Sequence, residues 1–256
     1  MKTKVLSLLV LFLLPLVSVL AQGRDIATRE IRYKVGTEEF VGYLAWDKAL
    51  KTPVPGVLVV HEWLGINEYA KKRAVDLANE GYVAFALDMY GEGKTVPMSE
   101  ARGMSGKVGS DFPLIQARFN AALVELKKEA LVDKSKIAAI GYCFGGGIVL
   151  NMARMGTDLK GVVSFHGSVN TGLTAKKGDI RTKVLAIQGD ADSAAPADRQ
   201  ATLKKEMAEA GADFQYIIYP NVPAHNFTNP AGSTYYAKEA DMAWASMKDF
   251  FKKLFS

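Results

Sequence analysis

The apolar positions of this chain change period along its length, and the changes mark out its elements. Residues 29–35 and 38–47 alternate apolar and polar around Gly36-Thr37, which predicts an antiparallel hairpin. From residue 56 onward the alternation gives way to short continuous apolar runs at 56–60, 82–87, 136–141, 161–165, 184–188 and 214–219. Runs of this length read as strands buried on both faces. Between them lie segments of helical period. Asn67 can cap a helix that runs to about Glu80, with Gly81 as its stop. Residues 113–130 predict a second helix, with Leu114, Ala117, Ala121, Val124 and Leu131 near one face. Residues 144–155, 196–210 and 233–255 predict three more. Residues 91–111, with glycines at 91, 93, 103, 106 and 109, are the least regular and read as loop and short helix over the site.

Strands alternating with helices predict a mainly parallel central sheet with helices on both faces. Ligands in such folds gather at the carboxyl ends of the strands. In this chain those ends carry His61-Glu62, Asp88, Cys143, His166, Asp190-Asp192 and the loop holding His225.

The N-terminal residues have a different character. Lys2 and Lys4 precede an apolar run over 5–14 that only Ser7 interrupts, Pro15 breaks the run, and Val19 and Ala21 stand at the −3 and −1 positions of a cleavage point. The run is short for a membrane-spanning helix, which needs about 20 apolar residues. Residues 1–21 are therefore expected to be a signal peptide cleaved near Ala21. Residues 22–256 are then one exported domain, periplasmic or secreted, monomeric and without stable membrane association. The formal net charge of +5 includes Lys2 and Lys4, and the remaining charges are mixed along the chain. No basic stripe with interleaved aromatics is present, which argues against nucleic acid as a partner.

The single cysteine excludes an internal disulfide. Cys143 sits in Gly141-Tyr142-Cys143-Phe144-Gly145-Gly146-Gly147, between a strand pattern and a helix pattern. This is the G-x-nucleophile-x-G elbow with a thiol where serine usually stands. The following helix points its positive end at the thiol and favours the thiolate. A thiol nucleophile needs a base and an orienting carboxylate, which in α/β-hydrolases follow in the order nucleophile, acid, histidine. Of the two downstream histidines, His225 comes after the last strand and before the final helix, where such a base belongs; His166 reads as a packed residue nearby. For the acid, both Asp190 and Asp192 fit the spacing, while Asp88 precedes the nucleophile and reads as structural. The oxyanion donors would be backbone N–H groups of Phe144 and of the 61–63 segment, with Trp63 taken as the second donor. The three histidines are scattered with no H-x-x-H spacing, so neither a metal nor another cofactor is expected.

These residues resemble the dienelactone hydrolase (carboxymethylenebutenolidase) family. The resemblance rests on Cys143 in GYCFGG, Asp192 in DADSAAP, His225 in AHNF, and Glu62 in HEWLGIN followed by LDMYG at 87–91. It implies the α/β-hydrolase fold and hydrolysis of a small ester or lactone through a Cys-His-Asp triad and a thioester acyl-enzyme. It assigns Asp192 as the acid, four residues before Pro196. It also implies that Glu62 gates the thiol, bonding it at rest and shifting when substrate binds. One of two arginines that bind a substrate carboxylate in dienelactone-cleaving members is replaced here by Asn229, and the other corresponds loosely to Arg102. Trp63 and Phe144 would flank the pocket. A thioesterase or an amide or peptide hydrolase would use the same triad, and a binding protein could keep the fold without turnover.

Overall fold

The alternating stretches pair as the hairpin. In the computed structural model, which describes residues 23–169 and 172–256, β1 (Ile26–Val35) runs antiparallel to β2 (Glu38–Asp47). Gly36 makes the turn with φ +59°, a conformation that costs glycine little. The signal peptide expected over 1–21 lies outside the described residues.

The continuous apolar runs form β3 (Val54–Val60), β4 (Val83–Leu87), β5 (Val132–Tyr142), β6 (Gly161–Phe165), β7 (Lys183–Gly189) and β8 (Phe214–Tyr219). The eight strands lie in the order β1-β2-β4-β3-β5-β6-β7-β8. β2 meets β4 antiparallel, and every pairing from β4 to β8 is parallel. β3 shows why its run has no polar alternation. Leu58 and Val60 face one core and Val57 and Val59 the other, and all four are fully buried.

α1 (Glu68–Asn79) and α6 (Ala237–Phe255) cover the face of Val57, through Ala74 and Leu77 and through Met247 and Phe251. The opposite face is covered by α2 (Met98–Gly109), α3 (Phe112–Lys128), α4 (Phe144–Arg154) and α5 (Ala197–Ala210). Asn67 caps α1 as expected, its Oδ1 accepting the Ala70 N–H at 3.2 Å.

The loop and short helix expected over 91–111 contain α2, which is a regular helix of 12 residues. Its Ala101, Met104 and Val108 recur at helical spacing and pack on the core, which outweighs the helix-breaking tendency of its three glycines. α3 buries Ile115, Phe119, Ala122 and Leu126, not the face of Leu114, Ala117 and Val124, the last being 52% exposed. The true face includes Arg118, which a polarity pattern places outside. Its guanidinium is buried because Nη1 donates to the Met89 carbonyl at 2.7 Å and Nη2 to Glu38 Oε2 at 2.8 Å.

Candidate active site

The parallel strands end on one edge of the sheet, and the site is built there. β5 turns sharply into α4 at Cys143, which adopts φ +52°, ψ −114°. A non-glycine residue held at positive φ costs about 1–3 kcal/mol and persists only when its surroundings enforce it. Two close approaches enforce it. A Cβ on Gly141 would lie 2.1 Å from the Gly145 carbonyl oxygen, and one on Gly145 would lie 2.3 Å from that of Val60. The Cys143 N–H is held by the Phe165 carbonyl at 3.0 Å and by His166 Nδ1 at 3.2 Å.

The thiol is partly accessible and faces His225, whose Nε2 lies 3.0 Å from Sγ. The other ring nitrogen, Nδ1, lies 2.9 Å from Asp192 Oδ2. Asp192 is fully buried, and its carboxylate also accepts Gln188 Nε2 at 2.6 Å and the Ala194 N–H at 2.8 Å. Burial alone would lower the His225 pKa, but the hydrogen bonds to Asp192 and Cys143 and the charge of both outweigh it, and the imidazole is pushed up to about 10. Asp190, the alternative acid, instead accepts the N–H groups of Asn221 and Val222 and ties the turn after β8. Asp88 accepts the N–H groups of Val41, Tyr90, Gly91 and Gly93, the structural role expected of it.

Glu62 is placed differently from its expected contact with the thiol. Its Oε2 accepts Asn229 Nδ2 at 3.1 Å, and Oε1 meets no donor among the described residues. Burial without compensating donors pushes the Glu62 carboxyl from the usual 4.5 up to about 7, with Asn229, His225 and Arg73 pulling the other way. The Asn229 amide is oriented by its other end, since Oδ1 accepts the Ala231 N–H at 3.0 Å. The residue standing where an arginine was expected is therefore committed to Glu62.

Trp63, Arg102, Cys143, Phe144 and His225 all line a cavity of about 730 Å³ that α2 roofs with Gly106 and Gly109. Among the described residues lining it, Arg102, His225 and, as a thiolate, Cys143 are the ones able to carry charge. Phe144 is the first residue of α4, so its N–H has no carbonyl one turn back to bond. Among the described residues no group of three His, Cys, Asp or Glu side chains is arranged to hold a metal ion, and no helix is long and apolar enough to cross a membrane.

His166 is the packed residue expected near the site, but sequence reasoning missed the network it belongs to. His166 is fully buried, and burial drives its pKa well below the usual 6.5. Its Nδ1 accepts the Cys143 N–H and its Nε2 bonds Thr228 Oγ1 at 2.8 Å, which in turn meets the Tyr69 hydroxyl at 2.8 Å. Arg73 fixes the same loop through the Thr228 carbonyl at 3.1 Å. Thr228 lies three residues beyond His225, so this network joins the loops of nucleophile and base. The only sequence signal for it was a histidine at a strand end.

Comparison with known proteins identifies the family. The family model described as "Dienelactone hydrolase family" matches residues 40–255. A Yersinia pestis protein named "Putative carboxymethylenebutenolidase" is 28% identical over 229 residues, which cover 84% of this chain and 84% of that protein. The crystal structure of a dienelactone hydrolase-like promiscuous phosphotriesterase from metagenomic libraries is 32% identical, with a TM-score of 0.83 over 90% of this chain and 99% of that one.

Proposed function

The chain belongs to the dienelactone hydrolase family, and we propose that it cleaves a small ester or lactone with Cys143 as nucleophile, His225 as base and Asp192 as its orienter. It is a dienelactone hydrolase-like hydrolase with the α/β-hydrolase fold. The observation that carries the finer reading is one imidazole bonded at both ends, Nε2 at 3.0 Å from the thiol and Nδ1 at 2.9 Å from the carboxylate.

In this reading the Cys143 proton passes to His225 Nε2 before the chemistry, and Sγ attacks the acyl carbonyl as the thiolate of that ion pair. The oxygen that becomes negative is received by the Phe144 and Trp63 N–H groups. Collapse breaks the carbon–oxygen ester bond, and His225 returns the proton to the leaving alkoxide, which in a lactone stays attached as a hydroxyl chain. Water, deprotonated by His225, then attacks the thioester and releases the carboxylic acid and the thiol. The negative carboxylate of Asp192 holds the imidazole in the orientation and tautomer that both steps need. Glu62 serves as the gate that the resemblance implies, with Asn229 as the partner that receives it away from Sγ.

The commitment of Asn229 to Glu62 leaves no cation at its position, which favours acyl groups without a carboxylate there. Turnover should be measured on short p-nitrophenyl esters, a dienelactone and, given the description of the metagenomic relative, a phosphotriester such as paraoxon. Intact mass should show an acyl adduct on Cys143 with a slow ester. Cys143→Ala should abolish both turnover and adduct. Turnover that survives Cys143→Ala defeats the assignment.

A further inference from the structure

A backbone oxyanion donor can be deleted only by proline, which also fixes φ, but the direction in which it points is set by its neighbours. No described peptide bond is cis, so the Trp63 N–H points opposite to the Glu62 carbonyl in the same peptide plane. That carbonyl is held from its own side by His61 Nδ1 at 2.5 Å and by the Gly65 N–H at 3.3 Å. The direction of the histidine bond follows from the other ring nitrogen. His61 Nε2 accepts the Met89 N–H at 3.1 Å, so it bears no proton. The ring is buried and neutral, and its single proton is therefore on Nδ1, donated to the Glu62 carbonyl. The next carbonyl, that of Trp63, is fixed by the Tyr90 hydroxyl at 2.9 Å. The His61 ring also stacks on Phe144 with centroids 5.8 Å apart, and Tyr90 lies edge-on to it at 4.8 Å.

We propose that His61 is a positioning residue for hydrolysis: by holding the Glu62 carbonyl through Nδ1–H, it turns the Trp63 N–H into the cavity as the second oxyanion donor. The Nε2 bond to Met89 anchors the ring to the loop after β4, and the stack on Phe144 keeps the two donors in register. This role rests on Cys143 being the nucleophile.

The test uses the full-length protein and three substitutions. His61→Asn keeps an amide N–H near the place of Nδ1. His61→Gln puts its amide near Nε2 and loses the Glu62 bond, and His61→Leu loses both. Complete loss of one oxyanion donor costs about 10²–10³ in kcat. A misdirected donor should cost roughly ten- to a hundredfold, on the same principle, in the Gln and Leu variants, with KM little changed. The Asn variant should stay within a few-fold of wild type. A trifluoromethyl ketone adds to the thiol and creates an oxyanion, so its affinity should fall in step with kcat. Iodoacetamide alkylates the thiol without an oxyanion, so its rate should not change. If the Leu variant does not fold, the Asn and Gln pair decides alone. Unchanged ketone affinity in Gln, equal losses in Asn and Gln, or alkylation slowed in parallel with turnover would each overturn the role. Wild-type protein inert to both reagents overturns the nucleophile assignment itself, and the His61 role with it.

Discussion

The loop after β3 and the loop after β7 each bury a carboxylate, and they bury it in opposite ways. Asp192 is surrounded by donors: the Gln188 amide, the Ala194 N–H and His225 share its two oxygens. Glu62 has one neutral donor, Asn229, and an oxygen with no partner among the described residues. A carboxylate supplied with donors becomes a fixed part of the framework, whereas one buried without them is poised to change its proton. The same residue chemistry thus yields an orienter in one loop and a titratable group in the other. The difference lies in the neighbours rather than in the depth of burial, since Glu62 is 2% exposed and Asp192 0%.

The largest test of this contrast is Asp192→Asn. The substitution keeps the shape but can present an N–H to His225 Nδ1, turning the imidazole to the wrong tautomer. The corresponding change in a serine triad costs about 10⁴ in kcat, and a loss of that order is expected here with folding preserved. Steady-state kinetics beside a thermal melt checks it. A variant of near-normal activity would make Asp192 as dispensable as its turn-forming neighbour Asp190.

Glu62→Gln probes the opposite loop and should act on stability. The Glu62 carboxyl is raised from 4.5 to about 7 in the folded state, so the folded protein holds this proton more tightly than the unfolded chain. The favourable contribution is complete below pH 4.5, falls as pH rises through the window from 4.5 to 7, and is gone above it. The accumulated cost at pH 8 is about 3 kcal/mol. Glutamine carries no charge to desolvate, so Glu62→Gln should gain stability over wild type at pH 8 relative to pH 5 by up to that amount. Urea midpoints at the two pH values measure it. Wild-type turnover is expected to show an inflection near pH 7, which should be absent in the variant. A wild-type protein equally stable across this window would refute the poised carboxyl.

The contrast also marks where sequence reading ends. The hairpin, the buried strands and the elbow were legible because each rests on a local rule: alternation, a continuous apolar run, glycines flanking Cys143. The order of Cys143, Asp192 and His225 was legible because topology places their strand ends on one edge. The α3 face was not, because Arg118 reads as polar until its partners Met89 and Glu38 are known, and both lie far away in sequence. The choice between Asp190 and Asp192 needed a resemblance, since spacing allowed both and only the fold puts one against His225 and the other under Asn221. Asn229 was legible as a missing arginine but not as the partner of Glu62, a contact across 167 positions. The His166–Thr228–Tyr69 layer escaped for the same reason, because it is a set of long-range bonds that no periodicity announces.

The smallest effect is the one that isolates the donor count. Asn229→Ala removes the only hydrogen bond to the Glu62 carboxylate among the described residues, and that bond favours the charged form. One such bond contributes roughly 1 kcal/mol net, which corresponds to less than one pH unit. The Glu62 carboxyl should therefore titrate above its present value of about 7 by less than a unit. The Ala231 N–H also loses its acceptor, so a modest loss of stability should accompany the shift. A ¹³C titration of the Glu62 side chain in the two proteins measures the shift free of that loss. An upward shift means that each donor withdrawn moves Glu62 further from the state of Asp192. A downward shift would mean that water replaces the amide better than the protein does, and the two loops would then differ in access rather than in donors.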